Sequence, residues 1–308
     1  MNTSNEISTF YAGISFCSKL VCIFGVSANI FIVMVIAATN SMRSNHFLFI
    51  ANLALSDFIS STLFVFKLII LPHLLPYLEN LKKPQLARII CALKLMDVQY
   101  EFLTNSFLIK CAIAIERFVA VVYPIFYKNS FKKQVVNFLL IFPWIYTITL
   151  CCCKELLTHS LVDGVCSETY TNNAALFYGF LSTTVYFLVL IGLPVFCYAC
   201  IVLKLSRNAQ SKKKTSDVVS KAMSSTTRML FAITFIFLIT TLPDQVHFYL
   251  FVNILNYKMW DWDSIYQKIA ELFMLSNLAV NFFVYVFANS QFKSAMIKFV
   301  AKRCACKV

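Results

Sequence analysis

The sequence predicts an all-α membrane protein, a seven-transmembrane helix bundle followed by a short amphipathic eighth helix. Three observations carry that expectation. Apolar residues make up 59% of the 308 positions and charged residues 13%, with a mean hydropathy of +0.73; a water-soluble domain carries about 25% charged residues. The apolar residues gather into seven blocks, each long enough to cross a bilayer as a helix, which takes roughly 18–20 residues. The positive charge gathers on one alternate set of connections, as membrane topology requires.

The blocks fall at 11–38, 47–75, 88–122, 134–153, 174–205, 220–252 and 264–288. Lipid cannot satisfy free backbone N–H and C=O groups, so each block must be helical. The first block lacks a small-residue cleavage pattern and is too long for a signal peptide, so it is read as helix one. Connections are short and no soluble domain is inserted, which makes 1–303 a single domain. At 289–300, Phe292, Met296, Ile297, Phe299 and Val300 supply an apolar face and Lys293 and Lys298 basic flanks. This pattern predicts a helix lying on the membrane surface. In the basic tail, 301–308, Cys304 and Cys306 are expected to be either S-palmitoylated or free thiols.

Net charge is +13. Arg43, Lys128, Lys132, Lys133, Lys204, Arg207, Lys212, Lys213 and Lys214 lie on the connections after helices one, three and five. On or near the other side, Lys19, Lys82, Lys83, Arg88, Lys154, Lys258 and Lys268 are diluted by Glu6, Glu79, Glu155, Asp163, Glu168, Asp261 and Asp263. Positive connections stay cytoplasmic, so the expected protein is a multi-pass plasma-membrane protein with its N-terminus outside. The sequon Asn2-Thr3-Ser4 then falls outside and makes Asn2 a glycosylation candidate. No basic stripe is interleaved with stacking aromatics, and the 31 phenylalanines lie inside the apolar blocks, so no nucleic-acid partner is expected. His46, His73, His159 and His247 are scattered without nucleophile–base or metal-ligand spacing, so neither an enzyme nor a metal centre is expected. A seven-helix transporter or channel would show inverted repeats or interrupted half-helices, and the sequence has neither.

Motifs sharpen the fold class. Gly25 and Asn29 stand in helix one, Asn52-Leu53-Ala54-Leu55-Ser56-Asp57 in helix two, and Glu116-Arg117-Phe118 with Tyr123-Pro124 at the end of helix three. Trp144 lies in helix four, Phe237 and Pro243 in helix six, and Asn281-Phe282-Phe283-Val284-Tyr285 in helix seven. In order and spacing this set resembles the rhodopsin-like (class A) G-protein-coupled receptors over 25–306. Helix three, Ile113-Ala114-Ile115-Glu116-Arg117-Phe118, resembles the neuropeptide receptors among them. The chain departs from the family in several places. The Cys91–Arg117 interval is one residue longer. Thr241 replaces the helix-six tryptophan, and Phe282 the helix-seven proline, which weakens the kink expected there. Pro194 lies four residues before Tyr198 instead of eight.

The resemblance implies roles. Cys91 and Cys166 are expected to form the disulfide that pins the second outer loop. Asp57, inside a span, is costly without partners; the matched partners are Asn29, Ser106, Asn277 and Asn281. Together they are expected to hold either waters with a sodium ion or a closed hydrogen-bond cluster, and no other cofactor is implied. Lys110, where the family has leucine, either pairs with Asp57 in competition with sodium or snorkels to an aqueous cavity. Glu116 and Arg117 are expected to pair at rest and to part on activation, freeing Arg117 toward a heterotrimeric G protein. Phe237, Pro243, Asn281 and Tyr285 complete that switch.

Ligand class follows from the outer halves of the helices. The helix-three position where amine receptors carry aspartate is Gln99 here, or Val98 when counted from Cys91. No retinal lysine stands in 270–281. Gln99, Asp244, Gln245, Phe248 and Glu271 are the expected pocket. Acids in an apolar bundle imply a cationic partner, so an extracellular peptide with a basic group is the leading expectation. The alternative inside the family is an orphan or ligand-independent receptor, to which the Thr241 and Phe282 departures point.

Overall fold

The computed structural model describes residues 2–80, 98–130, 133–162, 165–168, 189, 191–211, 225–253 and 264–305. Helix α1 runs Asn2–Ala38, followed by a 3-10 turn at Asn40–Met42. Helix α2, Asn45–Val65, passes through a π-helical turn, Phe66–Ile70, into α3, Leu71–Asn80. Pro72, at the second position of α3, lacks an N–H and would clash with the Leu68 carbonyl in a regular helix. Widening the turn by one residue relieves both problems. Helices α4 (Val98–Val122), α5 (Pro124–Ser130) and α6 (Lys133–Thr158) follow. A two-stranded antiparallel hairpin comes next, β1 (His159–Val162) and β2 (Val165–Glu168), with His159 opposite Glu168. Helices α7 (Leu193–Ser211), α8 (Ser225–Asn253), α9 (Ile265–Ala288) and α10 (Ser290–Ala305) complete the described chain.

Element boundaries depart from the hydropathy reading in several places, of which four are the most telling. Helix α1 begins at Asn2 instead of residue 11, and α10 continues to Ala305 instead of stopping at 300. Helix α5 and the hairpin occupy stretches read as loops. Hydropathy measures lipid depth, whereas a helix ends where its backbone hydrogen bonds end, and polar residues such as Lys302 and Arg303 carry those bonds equally well. The parts of the third, fifth and sixth blocks at 88–97, 174–188 and 220–224 lie outside the described residues.

Three described helical stretches are long and apolar enough to cross a membrane: Ser8–Ala38, Asn45–Tyr77 and Ile265–Ala288. Their sidedness of burial points the same way. On α6, Phe138, Ile141, Phe142, Ile145 and Ile148 form an exposed apolar stripe at helical spacing, and on α8 Phe231, Phe235 and Ile239 do the same. Meanwhile Asn29, Asp57, Asn105, Ser106, Lys110, Asn277 and Asn281 are buried. Apolar outside and polar inside is stable when lipid is the outer solvent. The chain is therefore a membrane protein.

Helix α4 is the central post, packing against α2, α6, α7 and α8, while α9 joins α8 to α1. Two close approaches fix the α1 side. A Cβ on Gly25 would fall 2.5 Å from Ser61 Oγ and 3.3 Å from Ser61 Cβ, so glycine lets α1 sit this near α2 without displacing Ser61. Asn29 Nδ2 donates to the carbonyls of Gly25 at 2.9 Å and Leu278 at 2.6 Å, tying α1 to α9.

Candidate functional site

Helix α4 carries functional residues at three levels. From Gln99 to Arg117 it rises about 27 Å at 1.5 Å per residue, close to the thickness of a bilayer core. The two outer levels therefore face opposite ends of the bundle.

At the Arg117 end, Glu116 is 1% exposed and accepts from Arg117 Nε at 2.5 Å and Nη2 at 2.9 Å. A third donor was not anticipated: the Tyr127 hydroxyl reaches Glu116 Oε1 at 2.6 Å. Pro124 opens α5 with its φ preset for a first turn. Tyr127 N bonds Tyr123 O in that turn, which carries the phenol back beneath α4. Burial, and then the hydrogen bond to Glu116, push the Tyr127 hydroxyl up to about 12, so it stays a donor at neutral pH. The carboxylate is thus clamped on both oxygens. Eleven residues of sequence and a turn separate Tyr127 from Glu116, and no spacing rule pairs them.

At the middle level Asn281 Nδ2 donates to Asp57 Oδ2 at 2.7 Å, joining α9 to α2, and Asp57 Oδ1 has no hydrogen-bond partner among the described residues. The other expected partners are engaged elsewhere. Ser106 donates to Ser56 Oγ at 2.9 Å, where Asn105 Nδ2 also donates at 2.9 Å. Asn29 holds the α1–α9 contact instead. Asn277 Nδ2 donates to the Thr240 hydroxyl and, at 3.3 Å, to the Thr241 hydroxyl of α8. Lys110, 1% exposed, makes no direct ion pair with Asp57 among the described residues. Its ammonium donates to Asn277 Oδ1 at 3.4 Å and lies 5.2 Å and 5.4 Å from the ring centroids of Phe237 and Phe107. Phe237, fully buried, packs on Phe107 at 4.6 Å. Tyr285 is buried with its ring 5.7 Å from Phe292 of α10, and its hydroxyl has no hydrogen-bond partner among the described residues.

The helix-two motif residue Asn52 also has a definite role. It accepts from Trp144 Nε1 at 2.8 Å and donates to Leu140 O at 3.0 Å, so two motif residues on different helices form one α2–α6 joint.

At the opposite end, Asp244 Oδ1 accepts from Gln267 Nε2 at 2.9 Å and Glu271 Oε1 from the Tyr100 hydroxyl at 2.8 Å. The Pro243 carbonyl, inside α8, accepts from Tyr266 at 3.1 Å. Gln99 is buried, and its carbonyl accepts from Ser60 at 3.0 Å. These contacts bring Asp244 and Glu271 to the junction of α4, α8 and α9. Gln245 and Phe248 lie in α8, with their side chains outside the described residues. Cys91, Cys306 and the side chains of Cys166 and Asn2 are likewise outside them; Cys166 belongs to β2. Cys304 is exposed near the end of α10.

The family model described as 7 transmembrane receptor (rhodopsin family) matches residues 28–285, a span that closes on Tyr285. No curated protein matches the chain at a significant level.

Proposed function

The chain belongs to the rhodopsin family of seven-transmembrane receptors, and from that premise we propose that it is a plasma-membrane receptor for an extracellular peptide carrying a basic group. In this reading it activates a heterotrimeric G protein. The observation that carries the proposal is the clamp at the Arg117 end. A guanidinium held by one buried carboxylate, itself held by a phenol from the adjoining connection, is a latch with two arrangements. Ligand bound at the far end has only to favour the open one. The N-terminus lies outside and the tail inside, as the placement of positive charge supports. The Cys91–Cys166 bridge, glycan at Asn2 and palmitate at Cys304 or Cys306 belong to the same proposal.

The basic ligand is supported by Asp244 and Glu271. Hydrogen bonds from the Gln267 amide and the Tyr100 hydroxyl place these two carboxylates together at the junction of α4, α8 and α9, where a cationic group of a ligand could meet them. A peptide-library screen on cells expressing promiscuous and selective G proteins would identify the ligand. Asp244→Asn should then weaken the response to it far more than Asp163→Asn, and equal losses would rule out Asp244 as the cation's partner.

A second reading, constitutive signalling without ligand, is favoured by one observation. Helix α9 carries Phe282 where the family has proline, and this ring packs edge-on against Phe24 at 6.1 Å and Phe31 at 6.2 Å. High exchange activity in cells without any peptide response would select that reading.

A further inference from the structure

Lys110 has no part in the reading above, yet it is among the largest fully buried side chains of the described residues. A charged group at this depth persists only with compensation. The surroundings of its ammonium are those of a cation: an amide oxygen, Asn277 Oδ1, at 3.4 Å and the faces of two phenylalanines within 5.4 Å. The opposite charge is Asp57 on α2, which interacts electrostatically with Lys110 across the core. Among the described residues the two make no direct ion pair, but they bond neighbouring amides one turn apart on α9: Lys110 donates to Asn277 Oδ1, and Asp57 Oδ2 accepts from Asn281.

The fit of a sodium ion can be judged from these contacts. Asp57 Oδ1 and the neighbouring Asn281 Oδ1, buried and without a partner among the described residues, would suit one. However, the Asn277 carbonyl oxygen is already taken by Lys110, and Ser106 is engaged with Ser56. A free cation would also be a second positive charge against one carboxylate, and an unbalanced buried charge is strongly unfavourable. With the Lys110 ammonium in place, the charge balance and not the supply of oxygens argues against the ion.

We propose that Lys110 is the built-in counter-ion of Asp57, standing in place of a free sodium ion and making the resting bundle indifferent to sodium. The same ammonium couples helices. Asn277 accepts from Lys110 of α4 and donates to Thr240 and Thr241 of α8, so the two departures at positions 110 and 241 meet on one amide of α9. This inference depends on neither the ligand class nor G-protein coupling, and its test reads neither.

The test is thermal unfolding of the purified full-length receptor in lipid nanodiscs, in sodium chloride and in potassium chloride at equal ionic strength. Wild type should melt at the same temperature in both. Lys110→Met should melt about 3 °C or more higher in sodium than in potassium, because Asp57 then lacks its counter-ion. Sodium-specific stabilisation of wild type would overturn the proposal, and so would a Lys110→Met receptor that folds but ignores sodium. Should Lys110→Met fail to fold, the charge pair is read from the other partner. Asp57→Asn alone leaves a bare ammonium and should lower the melting temperature, and Asp57→Asn with Lys110→Met should recover at least half of that loss. Additive losses would overturn the pairing.

Discussion

Replacing Tyr127 with phenylalanine removes one hydroxyl and leaves the ring in place. Glu116, 1% exposed, then keeps its bonds from Arg117 at 2.5 and 2.9 Å and loses the 2.6 Å bond to Oε1. A hydrogen bond to a charged group contributes about 1.5–3 kcal/mol. Arg117 Nη2 still serves Oε1, which puts the loss at the lower end, about 1.5 kcal/mol. Since the phenol holds the carboxylate that holds Arg117, the equilibrium between the closed and open latch should move by roughly tenfold. The assay is binding of a non-hydrolysable GTP analogue to added G protein in ligand-free membranes, normalised to receptor number. Basal exchange should rise about 5- to 10-fold with the maximal ligand-driven rate unchanged. A change below about twofold, or a fall, would refute the reasoning, because the phenol would then not restrain Arg117. The pH dependence has a definite sign. Folding raises the Tyr127 hydroxyl from 10.0 to about 12, so its bond is fully present below 10.0 and disappears only on the climb through about 12. The difference between Tyr127→Phe and wild type should therefore be constant across the neutral range.

Two further predictions concern the scaffold. Asn52→Ala breaks both the Trp144 and Leu140 bonds; interhelical polar contacts in membranes contribute about 0.6–1.7 kcal/mol each, so the melting temperature should drop by several degrees. Trp144→Phe added to it should cost little more, and full additivity would mean the two residues do not act through their shared bond. Gly25→Ala gains about 1 kcal/mol of helix propensity but drives a methyl to 2.5 Å from Ser61 Oγ. Overpacking costs about 1–3 kcal/mol, so net destabilisation is expected in thermal unfolding. Ser61→Ala should restore most of the loss, leaving a 3.3 Å contact to its Cβ, and no rescue would contradict the close approach.

Much of the architecture was legible because lipid imposes a crude rule. A block of about 20 apolar residues must be helical, and the Ile265–Ala288 helix stands on such a block at 264–288. What hydropathy does not register is helical structure made of polar residues outside the lipid, such as the first turns of α1 and the last of α10. A seven-residue helix opened by Pro124 likewise leaves no hydropathic trace. The site divides similarly. Glu116 and Arg117 are neighbours in sequence, and their pairing could be read directly. Tyr127 joins them through a turn whose direction spacing does not encode. Asp57 and Asn281 were paired by motif, but the engagement of Asn277 with Thr240, Thr241 and Lys110 depends on the rotational register of three helices. That register is set by packing, including the Gly25 contact, and not by any local pattern.

The most direct check of the whole account is the sidedness of the termini, since an odd number of crossings sends them to opposite faces. With one epitope before Asn2 and another after Val308, antibodies on intact cells should reach the first at once and the second only after permeabilisation. If both were reached, or both hidden, on intact cells, Arg117 and Asp244 could no longer be assigned to the cytoplasmic and extracellular ends of one seven-helix receptor.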